Sequence, residues 1–163
     1  MTIYEKYGGF DFFHKCVYGL YLDMFDHPEI AYHFIGVDLV HLSKLQTQFL
    51  VRAIGGPDTY QGGDIKLVHR SMQITTFEFT EIANAFRGVF LKAGVEKADV
   101  DVIMNFIASH EGDIVTAKTN FMVRIMRPIY KFCWRYLRFL FSKDSSWLRV
   151  GRNLVKGKKS RGG

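Results

Sequence analysis

Between two stretches of helical periodicity the chain reads Ile54-Gly-Gly-Pro-Asp-Thr-Tyr-Gln-Gly-Gly-Asp-Ile-Lys-Leu-Val-His69-Arg-Ser-Met-Gln-Ile74. Four glycines and a proline in so short a span suit neither a helix interior nor a packed strand. The fold must therefore join its helices through a loosely built segment whose backbone can take positive φ and pass close to a neighbour. Such a loop either cradles a phosphate or makes room for a large flat ligand. No Gly-Lys-Ser/Thr ending follows the glycines, which removes the phosphate reading. What remains is a short apolar-spaced turn presenting one histidine, His69, beneath a flexible loop, which suits a metal or a haem.

The flanks read as helix throughout. Thr2-Ile-Tyr-Glu5 has the spacing of a capping box and opens a short helix that ends at Gly8-Gly9. From Phe10 to Asp26, Phe13, Val17, Leu20, Tyr21 and Met24 recur on one face, and Pro28 stops the run. Asp38 caps a helix with Leu39, Leu42, Gln46, Phe49, Leu50 and Ala53 on its inner face, ended by Gly55-Gly56-Pro57. Thr75-Thr-Phe-Glu78 is a second box, opening a helix that turns Phe79, Ile82, Ala83, Phe86, Val89 and Phe90 inward and closes at Gly94. A last helix runs from Lys97 to Val115 through Val102, Ile103, Phe106 and Ile107. No strand alternation and no internal repeat interrupt this pattern. The expected fold class is all-α, with four substantial helices.

A hydrophobic content of 48% in 163 residues supports a core and argues against disorder. The net charge of +6 conceals an asymmetry. Through Ala117 there are nine Lys/Arg against fifteen Asp/Glu, net −6; from Lys118 to Gly163 there are thirteen against one, Asp144, net +12. The chain thus divides into an acidic globular domain, 1–117, and a basic extension, 118–163. Cys16 and Cys133 lie far apart and form no disulfide framework, which points to a reducing compartment. Met1-Thr-Ile-Tyr-Glu-Lys-Tyr-Gly-Gly lacks the basic-then-apolar pattern of a signal peptide.

A resemblance now follows from motifs in order: Tyr4-Glu-Lys-Tyr-Gly-Gly9, Tyr21 seven positions before Pro28, Phe34-Ile-Gly-Val-Asp-Leu39, Gln46-Thr-Gln-Phe-Leu50, Gly55-Gly-Pro-Asp-Thr-Tyr60, Val68-His69 and Ile74-Thr75. Residues 3–115 resemble a truncated haemoglobin of the first group, the short globin with a two-over-two helical sandwich. The resemblance implies haem b (iron protoporphyrin IX) as cofactor, with His69 as the iron ligand. It also implies that Tyr21 and Gln46 act on the opposite face, where phenol O–H and amide N–H donate to a ligand carrying partial negative charge. Phe34 would pack on the porphyrin, and Leu42 stands where many globins keep a distal histidine. Phe49, Leu50, Tyr60, Met72, Ile74, Phe79 and Ile82 would form the pocket walls. Without the family, each wall residue is simply what a core requires. Tyr21 alone would be a core tyrosine; Gln46, an amide between Leu42 and Leu50, needs a partner on any reading. His14, His27, His41 and His110 read as ordinary surface or core histidines.

The chain departs from its relatives in places. His33 stands where an aromatic usually precedes Phe34, and reads as a partly exposed histidine at a helix corner. Leu20 replaces the usual Phe before the tyrosine, and Gly62-Gly-Asp-Ile65 replaces Gly-Arg-Asp-Met. Lys66 and Arg70 then become the candidates for a haem propionate.

In the extension, Arg124, Arg127, Lys131, Arg135 and Arg138 recur at steps of three and four. On a helix of roughly 100° per residue they form one stripe about 80° wide amid apolar and aromatic residues. Five cations argue against a transmembrane span. A helix over residues 119–141 lying on an anionic membrane surface fits better; the stretch from Trp147 to Lys156 repeats the theme and Lys158-Lys159-Ser-Arg161 adds a polybasic end, so the expected contact runs through residues 119–159. Single-stranded nucleic acid, the acidic domain itself and a partner protein such as a reductase are rivals, with nucleic acid disfavoured by the continuous apolar face. The expected localisation is cytoplasmic and peripheral at the inner face of the membrane. The expected function is binding of O2, NO and CO at ferrous haem, with NO dioxygenation fed by an external reductase. A gas sensor or carrier with the same pocket, or a haem-free helical adaptor, would be the alternatives.

Overall fold

The structure, a computed structural model, describes residues 1–117. The basic extension, its helical stripe and Cys133 lie outside the described residues. The elements are α1 (Ile3–Lys6), α2 (Gly9–Met24), a 3-10 turn (Ala31–Phe34), α3 (Leu39–Ala53), α4 (Ile65–His69), α5 (Thr76–Lys92), α6 (Lys97–Ser109) and α7 (Glu111–Ile114), with no strand among the described residues.

Local chemistry sets these boundaries. Both capping boxes form: Glu5 N–H donates to Thr2 Oγ1 and Thr2 N–H returns to the Glu5 carboxylate, and Thr75 and Glu78 do the same at α5. The Asp38 carboxylate accepts from Val40 and His41 N–H at the start of α3. Gly55 takes φ +87°, and a Cβ there would lie 2.7 Å from the Thr2 Cβ; Tyr4 N–H meanwhile donates to Ile54 O at 3.1 Å. The double glycine is what lets the N-terminus close over the end of α3.

α2 packs against both α3 and α5, and α5 against α6, giving two pairs of helices. Phe13, Val17, Ile30, Val51, Phe90, Val100 and Ile103 are fully buried where they meet. Burying a side chain of this kind is worth about 1.5–3 kcal/mol. Ser43 and Thr47 are also fully buried on α3. Their hydroxyls donate back to Val40 O (3.1 Å) and Ser43 O (2.7 Å), which removes the cost of placing them inside.

Three expectations need correction. The helix expected over Lys97–Val115 breaks at His110. There Ser109 Oγ and His110 Nδ1 both hydrogen-bond Phe106 O, taking the carbonyl that a continuing helix would use. Val102 is half exposed rather than inward; Val100, Ile103 and Met104 fill the core side of α6. On α3 the buried face toward α2 is Ser43, Thr47 and Val51, whereas Leu42, Gln46 and Phe49 face a cavity on the other flank and Leu50 is buried at its edge.

Candidate haem pocket

One cavity of about 330 Å³ lies between α2, α3, α4, α5 and the α6–α7 corner. That volume is within the range of small-ligand and cofactor sites. All twelve residues given to the iron, the distal side and the walls from the sequence line it: Tyr21, Phe34, Leu42, Gln46, Phe49, Leu50, Tyr60, His69, Met72, Ile74, Phe79 and Ile82.

His69 closes the five-residue helix α4, which Asp64 caps by accepting from Leu67 N–H at 2.9 Å. Its Nδ1–H donates to Ile65 O, one turn back, at 2.7 Å. That bond fixes the ring and leaves Nε2 without a partner among the described residues, the arrangement found for metal-ligating imidazoles. The same segment is tied from behind. Thr116 Oγ1 donates to His69 O and accepts from Ile74 N–H, while Thr116 and Ala117 N–H donate to Ile74 O.

Tyr21 comes from α2 and Gln46 from α3. The Tyr21 side chain is 6% exposed, and its ring meets Phe34 and Phe86 edge-on. Burial pushes its phenol well above the usual range, so the O–H is retained as a donor. Neither the Tyr21 hydroxyl nor the Gln46 amide has a hydrogen-bond partner among the described residues. Two donors thus face an apolar cavity with nothing of the protein to bond, a costly state unless something enters.

Farther round the wall, Phe49 packs against Tyr60, Phe106 and His110, with the Arg52 guanidinium 4.9 Å from the Phe49 ring centre. Tyr60 donates to Gly63 O at 2.9 Å, and Gly62 is pressed so closely on that ring that a Cβ would overlap it. Lys66 and Arg70 flank His69 on the exposed side; Lys66 Nζ lies 4.0 Å from Asp113.

Sequence reasoning missed three groups. His33 sits half-buried in the 3-10 turn, as a corner residue should, but its side chain turns inward: it is 6% exposed and lines the cavity. Its Nε2 lies 3.5 Å from Glu78 Oε1. Glu78 read only as the closing residue of a capping box, yet it is 2% exposed and also on the wall. Burial alone would raise its pKa; hydrogen bonds from His33, Tyr32 and Thr75 outweigh that and hold it at about 2. His110, read as ordinary, lines the cavity too. The signals were present, since His33 breaks a usual aromatic pair and both boxes expose a Glu, but only the tertiary fold turns these groups inward.

Residues 2–116 match the family model of the bacterial-like globins. The chain is 28% identical over 119 residues to the Group 1 truncated hemoglobin GlbN of Mycolicibacterium paratuberculosis, across 73% of this chain and 88% of that protein. It is 27% identical over 114 residues to the Group 1 truncated hemoglobin of Tetrahymena pyriformis, across 70% of this chain and 94% of the relative. The crystal structure of the truncated hemoglobin from Tetrahymena pyriformis in its Fe(III) form superposes with a TM-score of 0.66 at 27% identity, covering 71% of this chain and 98% of that one. The 2/2 hemoglobin from Synechococcus sp. PCC 7002 shares the fold, with a TM-score of 0.65 at 21% identity over 71% of this chain and 98% of that one. These matches bear out the two-over-two helical sandwich and the resemblance on which it was expected. The cavity floored by His69 lies inside the matched stretch, and the chain belongs to the bacterial-like globin family.

Proposed function

We propose that the cavity holds haem b, iron protoporphyrin IX, with His69 Nε2 on the iron, and that the protein binds O2, NO and CO there and oxidises NO to nitrate. Haem-based gas binding comes with the family; the finer reading rests on the cavity. The observation that carries it is the His69 Nδ1–H bond to Ile65 O, which orients the ring and leaves Nε2 unpartnered. Phe34, Met72, Ile74, Phe79 and Ile82 supply the apolar walls that a porphyrin face requires, and Lys66 and Arg70 stand at the exposed side for its carboxylates.

Bound haem would supply a redox-active iron centre able to take up O2. The residues of this chain would do the rest. Tyr21 O–H and Gln46 N–H would donate to the ligand, and the apolar walls would exclude water that competes for them. Over the whole reaction one O2, one NO and one electron give one nitrate, with the electron from an external reductase. The basic extension, residues 119–159, would hold the protein on an anionic membrane at the cytoplasmic face, where both gases concentrate in lipid.

The decisive experiment is the absorption spectrum of the reduced protein with and without CO, on wild type and His69→Ala. Wild type should show five-coordinate ferrous haem that shifts on CO binding, and the variant should lose that signature. A colourless protein that takes up no hemin would select the haem-free adaptor instead. Rapid NO-driven oxidation of the oxygenated form, with reduction by an added electron donor restoring it over repeated turnovers, separates an enzyme forming nitrate from a carrier or sensor.

A further inference from the structure

We infer that His33, oriented by Glu78, is a proton-accepting site on the cavity wall, so that the pocket takes weak inorganic acids as the pair of their anion and a proton. The inference rests on the haem reading above and concerns ligands of the hydrazoic acid type rather than neutral diatomic gases.

The geometry is specific. His33 leaves the 3-10 turn beside Phe34, and both residues line the cavity. Its ring lies 4.1 Å from that of Tyr32, and its Nε2 faces Glu78 Oε1 at 3.5 Å with no other partner. The Glu78 carboxylate is built to stay charged: Thr75 N–H and Thr75 O–H donate to Oε2 at 2.9 and 2.7 Å, and the Tyr32 phenol donates to Oε1. A carboxylate on that side favours an N–H at Nε2, which leaves Nδ1, also unpartnered among the described residues, as the ring's proton acceptor.

The other titratable groups facing this wall are few. Tyr32 comes from the same turn, Tyr21 from α2, Tyr60 from the loop before α4, His69 from α4, Glu78 from α5 and His110 from the α6–α7 corner. One turn beyond Glu78, Glu81 is 3.9 Å from His27 Nε2. No lysine or arginine is among the described lining residues. Among the described residues of the wall, His33 is the imidazole with a carboxylate beside it. His69 and His110 direct Nδ1 to backbone carbonyls instead. When hydrazoic acid enters, its N–H bond breaks, azide takes the open position in the pocket and the proton goes to His33 Nδ1. No electron is transferred.

The test is azide binding to the ferric, haem-loaded full-length protein, followed optically between about pH 6 and pH 8. In wild type the affinity should rise as pH falls, approaching tenfold per unit for one linked proton. In His33→Phe, which restores the usual aromatic, it should be flat over the same range; His33→Gln serves if the first variant does not fold. Glu78→Gln keeps His33 and a capping residue and should weaken the pH dependence. A flat wild-type profile overturns the inference, and so does a slope that persists in His33→Phe, because the proton then belongs to another group. CO binding to the ferrous form is the control: CO carries no proton, so its affinity should be independent of pH in wild type and in every variant. Loss of hemin uptake or of the CO spectrum in wild type sinks the haem reading itself. Intact haem with pH-independent azide binding sinks only the role of His33.

Discussion

Tyr21 and Gln46 are donors that face the cavity with no partner among the described residues, so their contribution should be felt only when a ligand is present. Each bond to a partly charged ligand is worth about 1–3 kcal/mol. Tyr21→Phe and Gln46→Leu should therefore each speed O2 release roughly 10- to 100-fold, with a much smaller change for CO, which accepts hydrogen bonds poorly; flow-mixing displacement of O2 by CO measures both. Glu78 yields a second prediction at this scale. Its pKa in the fold, about 2, lies below the ordinary value of 4.5, so the ionised carboxylate stabilises the fold fully above the higher value. The contribution fades as pH falls toward the lower one. Glu78→Gln should be less stable than wild type near neutral pH, and the gap should shrink by about pH 3, as read from denaturant midpoints at matched haem content. The residues that the sequence could single out were those standing in ordered motifs, such as His69 and Gln46. Glu78 could not be singled out, because one residue here serves two purposes and only its capping role has a sequence spacing.

Among the elements, boundaries set by local chemistry were legible and those set by packing were not. Thr2, Asp38, Thr75 and the glycines at 8–9, 55–56 and 94 announce their turns through side-chain capping and φ, which need no knowledge of the rest of the fold. The break at His110 has neither glycine nor proline at the corner, and depends on two side chains reaching Phe106 O. The two inward faces of α3 were merged into one because a helix between a core and a cavity presents apolar residues to both. Two substitutions test the elements. Thr75→Ala removes the cap of α5 and one donor to Glu78, and should cost about 1–2 kcal/mol, measurable as a lowered Tm. Gly62→Ala would drive a methyl group into the Tyr60 ring and should loosen the wall at Phe49, giving faster haem loss to an acceptor protein with the helical content unchanged.

For the whole molecule, residues 1–117 carry a net charge of −6 and residues 118–163 one of +12, and the proposed membrane contact rests on that contrast. Removing the extension after Ala117 should abolish sedimentation with vesicles containing anionic lipid while leaving the ferrous–CO spectrum intact. Full-length binding should weaken as salt rises, since the attraction is screened over about 10 Å at 0.1 M. Unchanged vesicle binding by the shortened chain would place the membrane contact on the globin domain instead. The fold class was legible at this scale because amphipathic periodicity dominates the first 117 residues, whereas nothing in a periodic stripe says what it rests on.

The hydroxyl of Thr116, one residue before the last described one, grips the carbonyl of His69. A displacement of Thr116 is therefore delivered, through one oxygen atom, to the peptide that carries the imidazole. That helix is only five residues long and holds no buried side chain to resist it. Mechanically, Thr116 is a lever whose short arm ends at position 69.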